Sequence, residues 1–191
     1  TEIGGMTLIG RQIQTLKNAG ISDVVIVTGY LGEMLALPET RQIENPLWAT
    51  TNMVESLFSA EADFGDDVII SYGDIAYEPR VLTALLDSPH EISVMIDRKW
   101  QTLWELRFED PLSDAESLRL DANGRILDIG NPVTDISEIE GQYMGLMRFR
   151  GGGVETLCDG KRALGQTPRQ WMDHRPLKQA YMTDLLMELI L

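Results

Sequence analysis

The sequence is poor in cysteine and in basic residues, and each shortage excludes a class of protein. A single cysteine, Cys158, permits neither an internal disulfide nor a cysteine-based metal site, so we predict a reducing compartment, the cytoplasm. Only 16 Lys and Arg stand against 30 Asp and Glu. The net charge of −14 argues against nucleic acid or an anionic membrane surface as a partner, because both require a basic face. No apolar run reaches the length that crosses a membrane.

The residues that the sequence does contain are typical of a globular domain. With 43% hydrophobic and 24% charged residues, the composition is that of a folded protein. The 191 residues predict one domain, 1–191, without an internal repeat or an interdomain linker. The negative charge does not exclude a nucleotide ligand, because bound Mg²⁺ changes the local charge balance.

Hydrophobic patterning predicts an α/β fold with a doubly wound, mostly parallel sheet. Helical faces alternate with short β-branched runs, which are typical of strands buried on both sides. The predicted helices cover 6–16, 52–58 and 79–86, and the predicted strands cover 23–29, 68–70 and 92–96. Between them, 31–37 is interpreted as a short helix and 38–51 as irregular.

After Asp97 the pattern predicts a small antiparallel insertion. Two apolar segments flank Asn123-Gly124, a dipeptide that is typical of hairpins. Residues 142–149 are predicted to return to the sheet as a strand. A final helix over 182–189 has an apolar face that can pack on a further strand or on a second subunit, so a homodimer is possible.

The stretch around Asp74 is the first candidate for a functional site. A buried strand, 68–70, is followed by Ser71, Gly73 and Asp74. Ligands of α/β sheets bind at the carboxyl ends of the strands, and a carboxylate there can hold Mg²⁺ that bridges to substrate phosphates. The alternative is that Asp74 only turns the chain into the next helix.

Several segments, taken in order, resemble the sugar-phosphate-type nucleotidyltransferase superfamily. The resemblance is to its cytidylyltransferases for phosphocholine and 2-aminoethylphosphonate in particular. The matching segments are 6–13, 18–21, 25–30, 45–57, 71–75, 97–100, 114–116 and 141–146. This resemblance implies a Rossmann-like fold and transfer of CMP from CTP to a small phosphate or phosphonate acceptor, with Mg²⁺ as the cofactor and release of pyrophosphate.

The resemblance assigns Asp74 as the catalytic metal ligand and places the nucleotide beside Asn52, Ser56, Tyr72 and Gly73. Asn52 and Ser56 are one helical turn apart and can face the same ligand. Two structural alternatives remain open. Asn52 can be a helix N-cap in a capping box with Glu55, and the Ser56 hydroxyl can be solvated or bonded to its own helix.

The predicted acceptor pocket contains Asp97, Trp100, Glu116, Gln142 and Tyr143. A cationic amine such as choline or an aminoethyl group requires a carboxylate and an aromatic face, and this set supplies both. The alternatives are core or lid packing for Trp100 and an exposed strand charge for Glu116.

Two features of the resembled family are absent from these 191 residues. One is an opening strand with a Gly-rich loop that cradles the triphosphate, and the other is a closing strand with a second metal-binding Asp. The chain is therefore expected to be a core that lacks both ends of the catalytic apparatus and does not turn over by itself. Two competing functions stay open: a sugar-1-phosphate nucleotidyltransferase that uses another nucleotide, and a non-catalytic nucleotide-binding or scaffold module.

Overall fold

The computed structural model of the chain describes residues 2–35, 37–166, 169–172 and 175–190. The strands are β1 (Glu2–Ile3), β2 (Met6–Thr7), β3 (Val25–Thr28), β4 (Arg41–Glu44), β5 (Asp67–Ser71), β6 (Ile92–Asp97), β7 (Glu116–Leu120), β8 (Ile126–Pro132) and β9 (Gln142–Arg150). The α-helices are α1 (Leu8–Asn18), α2 (Met53–Phe58), α3 (Pro79–Asp87), α4 (Trp100–Arg107), α5 (Gly152–Gln166) and α6 (Met182–Ile190).

The central sheet has the order β5-β9-β6. Strand β9 is antiparallel to both neighbours, so β5 and β6 run parallel to each other on either side of it. The predicted return of 142–149 to the sheet is therefore confirmed. Helix α3 connects the two parallel strands and begins at Pro79, as predicted.

Helices cover both faces of this sheet. Successive side chains of β9 point to opposite sides, so the strand contacts helices on both faces. Met147 and Phe149 are fully buried in the main core with Leu157 of α5 and Leu185 of α6. Arg148 points the other way and donates to the Leu86 carbonyl of α3 at 2.6 Å. The patterning predicts this layering of helices around strands. It also predicts a mostly parallel sheet, but both strand pairs of the central sheet are antiparallel, because β9 lies between β5 and β6. Among the described strands, β3 and β4 form the one parallel pair.

Strand β4 is a correction to the sequence prediction. It pairs in parallel with β3, from Val25 opposite Arg41 to Thr28 opposite Glu44, within a stretch predicted to be irregular. Its sequence, Arg-Gln-Ile-Glu, is largely exposed and holds one apolar residue, so hydrophobic periodicity could not reveal it. The preceding segment forms a 3-10 helix at Gly32–Leu35, in place of the longer helix predicted over 31–37.

Two further predictions are corrected, and one helix was not predicted. Met6 belongs to β2, and α1 begins after Thr7, whose hydroxyl accepts the Gly10 N–H at 3.1 Å. The helix that was not predicted is α4, which packs through Trp100 and Trp104 while Leu103 and Leu106 are exposed. The apolar face of α6 is covered by α5 and β8 of the same chain, so it is not the free face that the sequence indicated.

The insertion between β6 and β9 is antiparallel, as predicted. Strands β7 and β8 pair through a tight turn over residues 121–125, with Leu118 opposite Ile129. Both of these side chains are buried in the main core. In the described residues no helix is long and apolar enough to span a membrane.

Candidate functional site

The loop that follows β5 is held rigidly by a buried glutamine of α1. The Gln12 amide donates to the carbonyls of Tyr72 and Ile75 at 2.9 and 2.7 Å. Its oxygen accepts the Ser71 hydroxyl at 2.8 Å. Gln12 was not predicted to have a role, although it lies in one of the segments that carry the resemblance. The loop between these contacts presents Gly73 and Asp74 to solvent.

Asp74 lies at the carboxyl end of β5, where the sequence placed it. Within the described part of the chain no group hydrogen-bonds its carboxylate, and no cluster of three acidic, His or Cys side chains forms a ready metal site. A free, exposed carboxylate suits Mg²⁺, which is commonly held by one or two carboxylates together with substrate phosphates and water. Asp74 can therefore contribute one ligand, with substrate phosphates and water supplying others.

Asn52 and Ser56 are both engaged within the protein. The Asn52 side chain accepts the Met53 N–H at 2.9 Å and caps α2. The predicted capping box is wrong, because the Asn52 N–H donates to the Lys178 carbonyl at 2.9 Å and not to Glu55. The Ser56 hydroxyl accepts the amide of buried Asn45 at 3.1 Å. Contact of either residue with a nucleotide stays a prediction.

Three of the predicted site residues come together around one cavity of about 220 Å³. They are Tyr72, Glu116 and Tyr143, and they come from the loop after β5, the start of β7 and the start of β9. Tyr72 lies two residues before Asp74, so the cavity adjoins the candidate metal ligand along the chain. The remaining lining residues are Met53, Tyr181, Met182 and Thr183.

The segment 181–183 was missed by sequence reasoning. Met182 was interpreted as core from its helical spacing, and it is indeed only 1% exposed. The run Tyr-Met-Thr at a helix start carries no pattern that announces a cavity. Only the packing of α6 against β8 brings it opposite Glu116, more than sixty residues earlier in the chain.

Glu116 is the carboxylate of the cavity, and its surroundings disfavour its charge. Burial is the main cause that raises its pKa to about 7, and the nearby carboxylates of Asp184 and Asp114 act in the same direction. A hydrogen bond from Thr183 and the charge of Arg175 oppose them without cancelling the effect. In the described part of the chain no basic side chain forms an ion pair with Glu116.

Gln142 holds the backbone of Glu116 in place. Its amide nitrogen donates to the Glu116 carbonyl at 2.6 Å, and its oxygen accepts the Glu116 N–H at 3.2 Å. Gln142 itself is 5% exposed. The structure therefore brings Gln142 next to the predicted pocket, where its side chain orients the carboxylate residue and does not line the cavity.

The aromatic walls of the cavity are neutral phenols. Tyr72 and Tyr143 meet edge to face, with ring centroids 5.7 Å apart. Burial is the main cause that raises the pKa of both hydroxyls well above the usual value for tyrosine. The Tyr72 hydroxyl lies 2.9 Å from the Met53 sulfur. Electron-rich ring faces beside a carboxylate are the surroundings that a cation prefers.

A second buried carboxylate fixes the start of α6. Asp184 is 3% exposed, accepts the Tyr181 N–H at 2.7 Å and is bound by the Arg175 guanidinium at 2.9 and 3.0 Å. The same guanidinium lies 4.6 Å from the centre of the Tyr181 ring. Asp184 is therefore paired, and Glu116 is the carboxylate left for a ligand.

Two predicted acceptor residues lie apart from the cavity. Trp100 is 4% exposed and packs in a small cluster with Ala115 and Ile139, which favours the packing alternative. The Asp97 carboxylate accepts the Lys99 N–H at 2.7 Å in the turn after β6. Neither side chain lines the cavity.

A family model matches the first part of the chain. Residues 1–126 match the model of the MobA-like NTP transferase domain. Over 196 residues the chain is 34% identical to a CTP:phosphoglutamine cytidylyltransferase of Campylobacter jejuni, an alignment that covers 96% of this chain and 76% of the relative.

Two further similarities are weaker or purely structural. A CMP-5'-(3-aminopropyl)phosphonate synthase of Streptomyces rubellomurinus is 28% identical over 111 residues, which cover 54% of this chain and 18% of the relative. The inositol-1-phosphate CTP transferase of T. maritima superposes with a TM-score of 0.68 at 16% identity, over 100% of this chain and 71% of that one. The likeness establishes a shared fold and confirms the Rossmann-like α/β prediction.

Proposed function

Because this chain belongs to the family of MobA-like NTP transferase domains, we propose that it transfers CMP from CTP to a small phosphorylated or phosphonate acceptor. An oxygen of the acceptor attacks the α-phosphorus of CTP. The bond from that phosphorus to the bridging oxygen breaks, and pyrophosphate leaves with the electron pair. The relatives named above are cytidylyltransferases or CMP-transferring enzymes, which supports CTP as the donor.

The observation that carries the proposal is the cavity beside the Asp74 loop. Tyr72, Tyr143 and Tyr181 offer aromatic faces, and Glu116 offers a carboxylate without an ion-pair partner among the described residues. An ammonium group at the far end of the acceptor would satisfy both, because a cation favours ionisation of Glu116 and is attracted to the rings. A sugar would instead call for several hydrogen-bonding groups, and this lining is mostly aromatic and thioether.

The chain's own residues would position the reactants. Phosphoryl and nucleotidyl transfer needs little covalent help from the protein, so orientation and neutralisation of charge supply most of the rate. The cavity would hold the ammonium end of the acceptor and direct its phosphate towards the loop that carries Asp74. Nucleotidyltransferases generally use a divalent metal, and we propose that Asp74 holds Mg²⁺, which neutralises phosphate charge when bound.

Pyrophosphate release by the natural protein that contains these residues tests the proposal. The panel crosses CTP, UTP, GTP and ATP with phosphocholine, 2-aminoethylphosphonate and sugar 1-phosphates in the presence of Mg²⁺. We expect turnover with CTP and an amine acceptor, with a loss of about a hundredfold or more in Asp74→Asn. Asp66→Asn, which changes another exposed carboxylate at the opposite end of β5, should leave the rate unchanged.

Two results would contradict the proposal. Turnover restricted to a sugar phosphate would favour a sugar-1-phosphate nucleotidyltransferase. Nucleotide binding without turnover of any pair would favour a non-catalytic module.

A further inference from the structure

Glycine bulges interrupt β9, which supplies Tyr143 to the cavity, and β8, which packs against the wall residue Thr183. On β8, the pairs Glu116–Pro132 and Leu118–Ile129 leave one extra residue, and Gly130 lies there with φ +83°. On β9, the pairs Val94–Met147 and Ile96–Tyr143 leave two extra residues, and Gly145 lies there with φ +75°. Bulges of this kind re-aim neighbouring side chains and are frequent next to active sites.

Gly145 supports the Tyr72 wall of the cavity. A Cβ atom added to Gly145 would lie 2.6 Å from both Cγ and Cδ2 of the Tyr72 ring. Carbon atoms pack at about 3.5 to 4.0 Å, so even a methyl group here would displace the ring by about 1 Å. The Tyr72 side chain can rest against β9 in this position only because residue 145 has no side chain.

Gly130 supports the opposite wall. A Cβ atom added to Gly130 would lie 2.5 Å from Cβ and 2.8 Å from Oγ1 of Thr183, and 3.5 Å from the Thr183 carbonyl carbon. The first turn of α6 therefore lies directly on β8. Because Thr183 and Glu116 both line the cavity, the approach at Gly130 fixes the position of α6 relative to the carboxylate.

Given the proposed function on which this rests, we propose that Gly130 and Gly145 are positioning residues that set the width of the acceptor cavity and thereby the size of the headgroup it accepts. Both glycines lie behind a wall residue, one on each side of the cavity. A side chain at either position pushes that wall residue off its strand, and the space between Tyr72 and Thr183 changes. Neither glycine needs to touch the acceptor.

The test compares two acceptors that differ only in three methyl groups, phosphocholine and phosphoethanolamine. We expect Gly130→Ala and Gly145→Ala to raise the KM for phosphocholine about tenfold or more and to lower the ratio of kcat/KM for phosphocholine over phosphoethanolamine. The KM for CTP should stay within about twofold in Gly130→Ala, because Thr183 is not one of the residues predicted to contact the nucleotide. Gly145→Ala moves Tyr72, which the resemblance placed beside the nucleotide, so for this variant only the acceptor ratio is diagnostic. A merely structural role would lower activity with both acceptors equally.

Two other glycines provide matched controls. Gly20 (φ +85°) and Gly124 (φ +82°) require the same left-handed backbone, but no atom lies within 4 Å of an added Cβ. Gly20→Ala and Gly124→Ala therefore carry the backbone strain without touching the cavity, and their acceptor ratio should equal that of the wild type. Urea unfolding of all four variants separates loss of fold from change of cavity.

If an alanine variant does not fold, Thr183→Ser tests the same wall from the other side. It removes one methyl group and adds no atom, so the acceptor ratio should shift towards phosphocholine. Wild-type turnover with an unchanged ratio in the glycine variants, or in Thr183→Ser, overturns the inference alone. Absence of turnover with both phosphocholine and phosphoethanolamine in the wild type overturns the inference, because the cavity then does not accept these headgroups. Absence of turnover across the whole acceptor panel overturns the proposed function as well.

Discussion

The Glu116 carboxyl is about half protonated in the empty cavity at neutral pH, and we expect this proton to compete with the acceptor. Its pKa is raised to about 7 by burial first, and then by Asp184 and Asp114, while Thr183 and Arg175 pull the other way. The neutral phenols of Tyr72 and Tyr143 do not titrate in this range. A bound ammonium group favours the ionised carboxylate, so acceptor binding should expel the proton.

The size of the effect follows from the pKa of about 7. The ionised fraction of Glu116 is about one-tenth at pH 6 and about nine-tenths at pH 8. If only the ionised form binds the cation well, acceptor affinity rises by about tenfold over this interval, which corresponds to about 1.4 kcal/mol. The sign is fixed: a higher pH strengthens binding until the carboxylate is fully ionised.

The assay is the KM for phosphocholine at saturating CTP, measured from about pH 6 to pH 8. The acceptor's own phosphate has a second pKa of about 6 and contributes to the profile, so the wild type alone is not decisive. Glu116→Gln keeps the phosphate titration and removes that of the carboxyl. We expect the variant to have a higher KM and a flatter pH profile. Equal slopes in the two proteins would refute the assignment of Glu116 as the group that faces the cation.

Stability should respond in the opposite direction at the same residue. The folded-state pKa of about 7 lies above the ordinary value of 4.5, so ionisation of Glu116 weakens the fold. This cost is absent below the unfolded-state pKa, grows as pH rises between the two values and is complete above the folded-state pKa. Glu116→Gln should therefore raise the unfolding free energy of the empty protein by about 1 to 3 kcal/mol at pH 8 and leave it unchanged at pH 4. Urea unfolding at both pH values measures it, and a loss of stability at pH 8 would contradict the reasoning.

Three further predictions concern the scaffold. Arg148 is 9% exposed and donates to both oxygens of Asp67 at 2.8 and 2.6 Å and to the Leu86 carbonyl at 2.6 Å. Because the Asp67 side chain is about half exposed, Arg148→Met should lower the unfolding free energy in urea by about 1 to 2 kcal/mol, and an unchanged midpoint would contradict this. The Arg148 guanidinium lowers the pKa of Asp67 below its usual value, so the stabilisation from this pair is lost as pH falls through the lowered pKa. Asp67→Asn should therefore weaken the fall of the thermal unfolding midpoint at acid pH, and an unchanged fall would disprove this. Asn45 is 3% exposed and donates to the hydroxyls of Thr51 and Ser56. Asn45→Ala should therefore lower the free energy of unfolding in urea by about 2 kcal/mol. An equal loss in Asn123→Ala, which changes an exposed asparagine, would refute the role of these hydrogen bonds.

The sequence predicted correctly the elements whose formation depends on their own residues. The β-branched run of β3 and the helix start at Pro79 depend on local chemistry, and both were placed within a few residues. The resemblance to nucleotidyltransferases, which depends on several short segments in order, is confirmed by the match of residues 1–126. Mg²⁺ dependence, cytoplasmic location and a homodimer stay predictions.

The failures occur where a distant residue decides the local structure. Asn52 and Glu55 have the spacing of a capping box, but the Lys178 carbonyl takes the Asn52 N–H, and Glu55 instead lies 3.3 Å from Lys161. Strand β4 exists because β3 offers it an edge, and its own residues carry little periodicity. In both cases the local sequence does not show the distant contact that decides the structure.

The residues of the cavity were likewise predicted only in part. Tyr72 lines the cavity, although the resemblance placed it beside the nucleotide. Residue type identified Glu116 and Tyr143 as acceptor residues, because a carboxylate and an aromatic ring are what an ammonium group requires. The same reasoning included Trp100, whose side chain packs in a separate cluster. It could not include Tyr181 or Thr183, whose contribution depends on where α6 docks.

The residues that line the cavity come from two parts of the chain. Asp74, Tyr72 and Glu116 lie within residues 1–126, the part that matches the family model, whereas Tyr143 and the segment 181–183 lie beyond it. One wall of the cavity thus belongs to the shared part of the domain and sits next to the candidate metal ligand. The other wall is supplied by Tyr143 of β9 and by the start of α6. We therefore expect acceptor choice to depend mainly on residues after 126, and the transfer step itself on residues before it.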